Sequence, residues 1–271
     1  MRLLVSVRSA AEARNALAGG ADIIDAKEPR LGSLGQVSPD VLSAILDRVP
    51  PEHEVSVALG DFSRPHEVRI AIQSLPLDRK HSVTYLKLGF AGISGEDLIV
   101  TLLRSAVAAS VSHKAQPRII AVAYADAEHA GTVAPEVVSR AAARTGAAGV
   151  LLDTYGKVSG NLLNWLEPEA LAAVIEDNRE NGLLAAVAGG LGTKDLGRVA
   201  VARPDVVGFR GAACSGGRVG RVSRSRVRQL GQGLRNEGSG SIQELRHPLK
   251  ERVAKRPKPA RISVRSTELT H

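Results

Sequence analysis

Leu183-Leu184-Ala185-Ala186-Val187-Ala188-Gly189-Gly190-Leu191-Gly192, followed by Val206-Val207-Gly208-Phe209-Arg210-Gly211-Ala212, is the stretch that decides the fold. Two short apolar runs each end in glycine, and a helix-compatible segment near Thr193–Val201 separates them. A run apolar on both faces suits a parallel strand covered by helices, with the helix as its crossover. The same beat extends upstream. Leu3–Val7, Ile23–Lys27, Val55–Leu59, Thr84–Leu88, Ile119–Tyr124 and Val150–Asp153 read as strands. Helices are expected over Ser9–Ala18, from Ser38-Pro39 to about Val49, near Pro65–Ser74, over Ser94–Ser112, near Ala134–Arg144 and from Pro168 to about Glu180. Ser9 and Ser38 suit N-caps, and Ser94 with Asp97 frames a capping box. A last helix near Val222–Arg235 completes eight strand–helix units, which fit one closed (β/α)8 TIM barrel. An open doubly wound sheet is the competing layout, but the glycine-rich first turn that it uses is missing after Leu3–Val7.

The 271 residues are 44% hydrophobic and 24% charged, enough chain for one barrel domain over residues 1–236 without a disulfide or metal staple. Cys214 is the single cysteine, which excludes an internal disulfide and a Cys-rich zinc cluster. The early apolar run Leu3–Val5 is too short for a signal segment or a membrane span, so a soluble cytoplasmic protein is expected. Net charge is +8, which points to an anionic partner. About half of the excess lies in residues 237–271, where Gly238-Ser239-Gly240-Ser241 reads as a linker and the rest as a basic, low-order tail.

Reactive groups of such a barrel sit at the C-terminal ends of the strands. Those ends carry Asp25-Ala26-Lys27, Asp61, Lys87, Asp126 and Asp153-Thr154-Tyr155-Gly156-Lys157. Asp25 and Lys27 share a strand face with Ile23, and Lys87 is in phase with Val83 and Tyr85. Taken singly, each lysine reads more readily as a surface residue on a frayed strand end. Together, inside apolar strands, two lysines are costly unless paired. Ammonium groups about 5 Å apart repel by roughly 3 kcal/mol at an effective dielectric of about 20, enough to bring one amine well below the usual lysine range. A neutral lysine attacks a carbonyl to give a Schiff base, a carboxylate such as Asp25 orients it, and a second amine moves protons. That chemistry needs neither metal nor cofactor. Gly189, Gly190, Arg210 and Gly211 lie where loops after the seventh and eighth strands present amides to a phosphate, Arg210 adding a charged fork.

Other features are expected to be structural. The seven histidines show no metal-ligand spacing. Asp61 and Asp126 suit caps or salt bridges, Trp165 suits a barrel cap or oligomer contact, and Cys214 an inert or mildly reactive thiol. Arg218, Arg221, Arg224, Arg226 and Arg228 read as a solvated face or subunit contact, with substrate steering as the alternative.

Asp25-Ala26-Lys27-Glu28-Pro29, Tyr85-Leu86-Lys87-Leu88-Gly89 and Leu152-Asp153-Thr154-Tyr155-Gly156-Lys157 resemble the (5-formylfuran-3-yl)methyl phosphate synthases of methanofuran biosynthesis, as do Gly32-Ser33-Leu34-Gly35 and Ala188-Gly189-Gly190. The resemblance runs over roughly residues 1–235. It implies a barrel lyase that condenses two molecules of glyceraldehyde 3-phosphate, releasing phosphate and water. Carried over by motif, Lys27 forms the Schiff base, Lys87 accepts the proton, and Asp25, Asp153 and Lys157 support proton transfer and substrate binding. A triose phosphate is the expected small-molecule partner, in a homo-oligomer, with no membrane or nucleic-acid partner.

Two other readings stand beside this one. Asp25-x-Lys27 faintly resembles the Asp-x-Lys element of orotidine phosphate decarboxylases, but Arg30 occupies the place of their second Asp. A phosphate-binding barrel aldolase or decarboxylase with another substrate is therefore the enzymatic alternative. Nucleic-acid binding through the basic tail is the non-enzymatic one.

Overall fold

The protein is described by a computed structural model over residues 1–77, 83–156 and 160–244, with side chains through Glu237. Eight parallel strands close in sequence order, the last pairing back onto the first. They are β1 (Arg2–Val7), β2 (Ile23–Ala26), β3 (Glu54–Asp61), β4 (Val83–Gly89), β5 (Arg118–Tyr124), β6 (Gly149–Asp153), β7 (Leu184–Val187) and β8 (Val206–Phe209). The outer layer consists of α1 (Ala10–Gly19), α2 (Pro39–Leu46), α3 (Pro65–Gln73), α4 (Glu96–Ser112), α5 (Ala127–Ala130), α6 (Pro135–Ala143), α7 (Pro168–Glu180), α8 (Leu196–Ala202) and α9 (Arg224–Glu244). A two-stranded hairpin, β9 (Cys214–Ser215) with β10 (Arg221–Val222), interrupts the step from β8 to α9. The expected (β/α)8 barrel is the observed fold. Among the described residues no helix is long and apolar enough to cross a membrane.

Strand alternation divides the apolar side chains into two cores. One lies between strands and helices and includes Val5, Ile24, Val57, Leu86 and Ala121. The other fills the barrel interior with Ile23, Tyr85, Ile120, Leu151 and Val206. The phase expected for Asp25 with Ile23 and for Lys87 with Tyr85 is therefore correct. Val83 departs from it and packs in the outer core. The register explains why: β3 advances one residue, Val55 to Ser56, while β4 advances two, Val83 to Tyr85. The extra residue inverts the facing of everything before it.

Ser9 and Ser38 cap α1 and α2, their hydroxyls accepting from the amides of Glu12 and Val41. The capping box expected at Ser94 and Asp97 does not form. Gly95 is the extended residue that precedes α4, which leaves Ser94 one position too far out to reach the first turn. The last helix also departs from expectation. It was placed to stop near Arg235, yet it runs to Glu244, so Gly238–Ser241 is helix and the boundary set at residue 236 falls inside α9. Val227, Leu230 and Leu234 are buried and hold its first turns on the barrel. Extending a nucleated helix fixes one residue per added hydrogen bond, so a weak composition does not end it. Lys157 and residues 245–271 lie outside the described residues.

Candidate active site

A cavity of about 360 Å³ opens at the C-terminal end of the barrel. Asp25, Lys27, Lys87 and Asp153 line it, and all four are buried. Lys87 Nζ lies 2.6 Å from Asp25 Oδ1, and Ser6, the register partner of Asp25 on β1, donates its hydroxyl to Oδ2 at 2.7 Å. Burial by itself would push the Asp25 carboxyl up. The charges of Lys87 and Lys27, with the hydrogen bonds from Lys87 and Ser6, overcome it and hold Asp25 below the ordinary carboxylate range. One buried carboxylate thus faces two amines, and it lies in the ladder between Ser6 of β1 and Ser56 of β3.

Asp153 ends β6 beside Thr154, whose amide donates to Asp153 Oδ1 at 2.7 Å. Asp126 accepts from the amides of Tyr155 and Gly156 at 2.7 and 2.8 Å, which fixes the loop leaving β6. Asp61 accepts from the Tyr124 hydroxyl at 2.9 Å and from the Ala91 amide at 2.9 Å. A Cβ at Gly89 would stand 2.2 Å from Asp61 Oδ1 and 2.8 Å from Tyr124 Oη, so the glycine closing the β4 motif makes room for that pair. Burial, then the nearby charge of Asp153, raises the Asp61 carboxyl against the hydrogen bonds it accepts. Asp61 and Asp126 therefore hold loops through these hydrogen bonds rather than through a side-chain helix cap, since Asp126 precedes α5 without capping it. Trp165 packs edge-on against His129, ring centroids 5.0 Å apart.

The phosphate candidates divide. Gly189 and Gly190 line the cavity with φ of +94° and +69°, a region that favours glycine. Gly211 and Ala212 line it from the β8 side. Among the described residues, the amides of Gly190, Leu191, Gly211 and Ala212 donate to no protein acceptor. Arg210 does not act as the expected fork. Its guanidinium is buried, with Nε on the Arg218 carbonyl, Nη1 on Ser6 O and Glu12, and Nη2 on Glu12 and Gly220 O. Those five bonds use every donor the group has. Arg210 lines the cavity, but a buried acid in the first turn of α1 takes up its guanidinium.

Arg218, read from sequence as part of a solvated cluster, lines the cavity as well. It sits in the β9–β10 turn, between Gly216 and Gly217, both at positive φ, and Gly220, where a Cβ would stand 1.9 Å from the Ser215 carbonyl oxygen. The one sequence signal for it was that triple of glycines around an arginine just after the eighth strand.

The family model described as 4-HFC-P synthase matches residues 3–231. The chain belongs to the 4-HFC-P synthase family. A (5-formylfuran-3-yl)methyl phosphate synthase of Methanothermobacter thermautotrophicus is 36% identical over 233 residues, covering 85% of this chain and 97% of the relative. One of Methanocaldococcus jannaschii is 34% identical over 233 residues, covering 85% and 98%. Among solved structures, 3-hexulose-6-phosphate synthase from Salmonella typhimurium superposes with a TM-score of 0.58 at 17% identity, covering 88% of this chain and 100% of that one. Phosphoribosyl anthranilate isomerase from Thermus thermophilus gives 0.57 at 18%, covering 87% and 99%. At such identity these structures speak for the barrel alone. Family membership makes the chain a relative of synthases named for one furan phosphate, and its cavity is that of a barrel enzyme.

Proposed function

We propose that this 4-HFC-P synthase family member condenses two molecules of glyceraldehyde 3-phosphate through a Schiff base on Lys27, as a lyase supplying methanofuran-type cofactor synthesis. The observation that carries the reading is the shared carboxylate: Asp25 holds an ion pair with Lys87 and also feels the charge of Lys27, at the inner end of one cavity. The 2.6 Å contact with Asp25 fixes the Lys87 amine beside the carboxylate that also feels the charge of Lys27, so the two amines of the proposed chemistry meet at one group.

Lys27 adds to the aldehyde of the first triose phosphate and loses water to give an iminium. The iminium acidifies the neighbouring carbon, Lys87 takes its proton, and the resulting enamine attacks the aldehyde of the second triose. Ring closure with loss of one phosphate and of water, and hydrolysis of the carbon–nitrogen bond to Lys27, release the furan aldehyde and the free amine. Asp153, on the wall of the same cavity, supports proton transfer, and Lys157 completes the set by motif. The amides after β7 and β8 are placed to receive a phosphate, as neutral donors that need no counter-charge of their own.

Borohydride added during turnover of glyceraldehyde 3-phosphate is expected to leave a reduced adduct on the peptide containing Lys27. Lys27→Ala is expected to leave none. An adduct of equal yield in that variant, or none in active wild type, ends the imine reading. Appearance of an ultraviolet-absorbing furan aldehyde together with inorganic phosphate from this one substrate tests the overall reaction.

A further inference from the structure

We infer that Arg218 supplies the positive charge of a phosphate subsite made with the amides of Gly190, Leu191, Gly211 and Ala212, and that the same guanidinium latches the loop that follows Lys27. This deepens the triose phosphate reading and rests on it for the identity of the substrate.

Three observations converge. Arg218 and the four amides line one cavity, and the Arg218 backbone passes Gly211 closely: a Cβ on that glycine would stand 3.7 Å from Arg218 N. Arg210 cannot provide the charge, since Glu12 and backbone carbonyls take all its donors. One of those carbonyls belongs to Arg218 itself, so Arg210 is a positioning residue that steadies the turn carrying Arg218.

The latch is visible in the contacts of Arg218. Its Nη2 donates to the Pro29 carbonyl at 3.1 Å and to the Gly32 carbonyl at 2.6 Å, across from the segment that leaves β2 just after Lys27. Ser33 ties that segment to β6 by donating to the Thr154 and Tyr155 carbonyls. Arg218 also shares the cavity wall with Asp153, whose charge acts on it. An anion in the subsite would thus meet a cation already anchored on the Lys27 loop. Phosphate binding and the placement of the amine become one event.

The test is isothermal titration with inorganic phosphate at constant ionic strength, on wild type, Arg218→Lys and Arg218→Gln. Arg218→Gln should bind roughly 10- to 100-fold more weakly, the range of a lost charge-assisted hydrogen bond, and Arg218→Lys should recover part of it. Borohydride trapping adds a second readout. Wild type should be labelled faster by glyceraldehyde 3-phosphate than by glyceraldehyde, and Arg218→Gln should lose that preference while still reacting with glyceraldehyde. A purely structural arginine would slow both substrates equally. Unchanged phosphate affinity in Arg218→Gln, or a retained preference for the phosphorylated substrate, overturns the proposal. Lost phosphate affinity together with no trapping on Lys27 in wild type would leave the subsite standing and remove the furan reading.

Discussion

Asp25 sets the electrostatics of the cavity, because it is a fully buried carboxylate that two lysines share. Replacing it with Asn keeps its shape and removes the counter-charge of Lys87. Breaking a buried pair from one side typically costs 3–5 kcal/mol. A loss of about 3 kcal/mol is therefore expected in urea unfolding at pH 7. The pH dependence has a definite sign. Folding lowers the Asp25 pKa, so its contribution is complete above the ordinary carboxylate value of about 4 and drains away as pH falls through the lowered one. The stability gap between wild type and Asp25→Asn should therefore narrow in acid. A gap that stays constant down to pH 2 would show that some other contact of Asp25 provides the stability. Furan formation should fall with the variant at every pH, because the proton accepted by Lys87 loses its partner.

The loops after β7 and β8 separate glycines that the backbone requires from glycines it merely tolerates. Gly189 combines a positive φ with a Cβ position 3.1 Å from the Thr154 side chain and amide. Gly211 lies outside the left-handed region, with its nearest neighbours at 3.7 Å. Gly189→Ala is expected to cost about 1–3 kcal/mol, and Gly211→Ala to fall within about 0.5 kcal/mol of wild type. Paired thermal melts decide it; equal shifts would mean the β7 loop relaxes without strain. At this scale the sequence was readable where one residue's chemistry contradicts its neighbours. Charged Asp25, Lys27, Lys87 and Asp153 stand out in apolar runs, and Ser9 and Ser38 precede helices at the cap position. It was not readable where the answer depends on a distant partner. That the Arg210 guanidinium is taken up by Glu12, far away in sequence, is encoded by no spacing within the β8 loop. Ser94 misled for a related reason: a cap depends on where the first turn begins, and Gly95 begins it one residue later.

Across the molecule, the closed barrel was legible because eight repeats of strand and helix leave few other ways to bury both faces of every strand. The bulges between β3 and β4 were not, since period-2 reading assumes an unbroken register. Charge is distributed just as unevenly. Residues 245–271 carry eight Lys or Arg against two Asp or Glu, so most of the net +8 lies beyond α9. The proposed chemistry uses charge inside the cavity, at Lys27, Lys87 and Arg218, all within the described barrel. A chain ending at Glu244 should therefore form the furan at close to the full-length rate. Ending it at Asn236 instead cuts α9 in mid-helix, removing Glu237, which packs beside Gly197 at the start of α8. That shorter chain should melt at lower temperature. Salt-sensitive retention on DNA or heparin, if the full chain shows it, should vanish with residues 245–271 while catalysis persists. Should catalysis vanish with them as well, with the fold intact by circular dichroism, the basic segment would have to be counted among the parts of the active site, and a barrel ending in α9 would not suffice for the reaction.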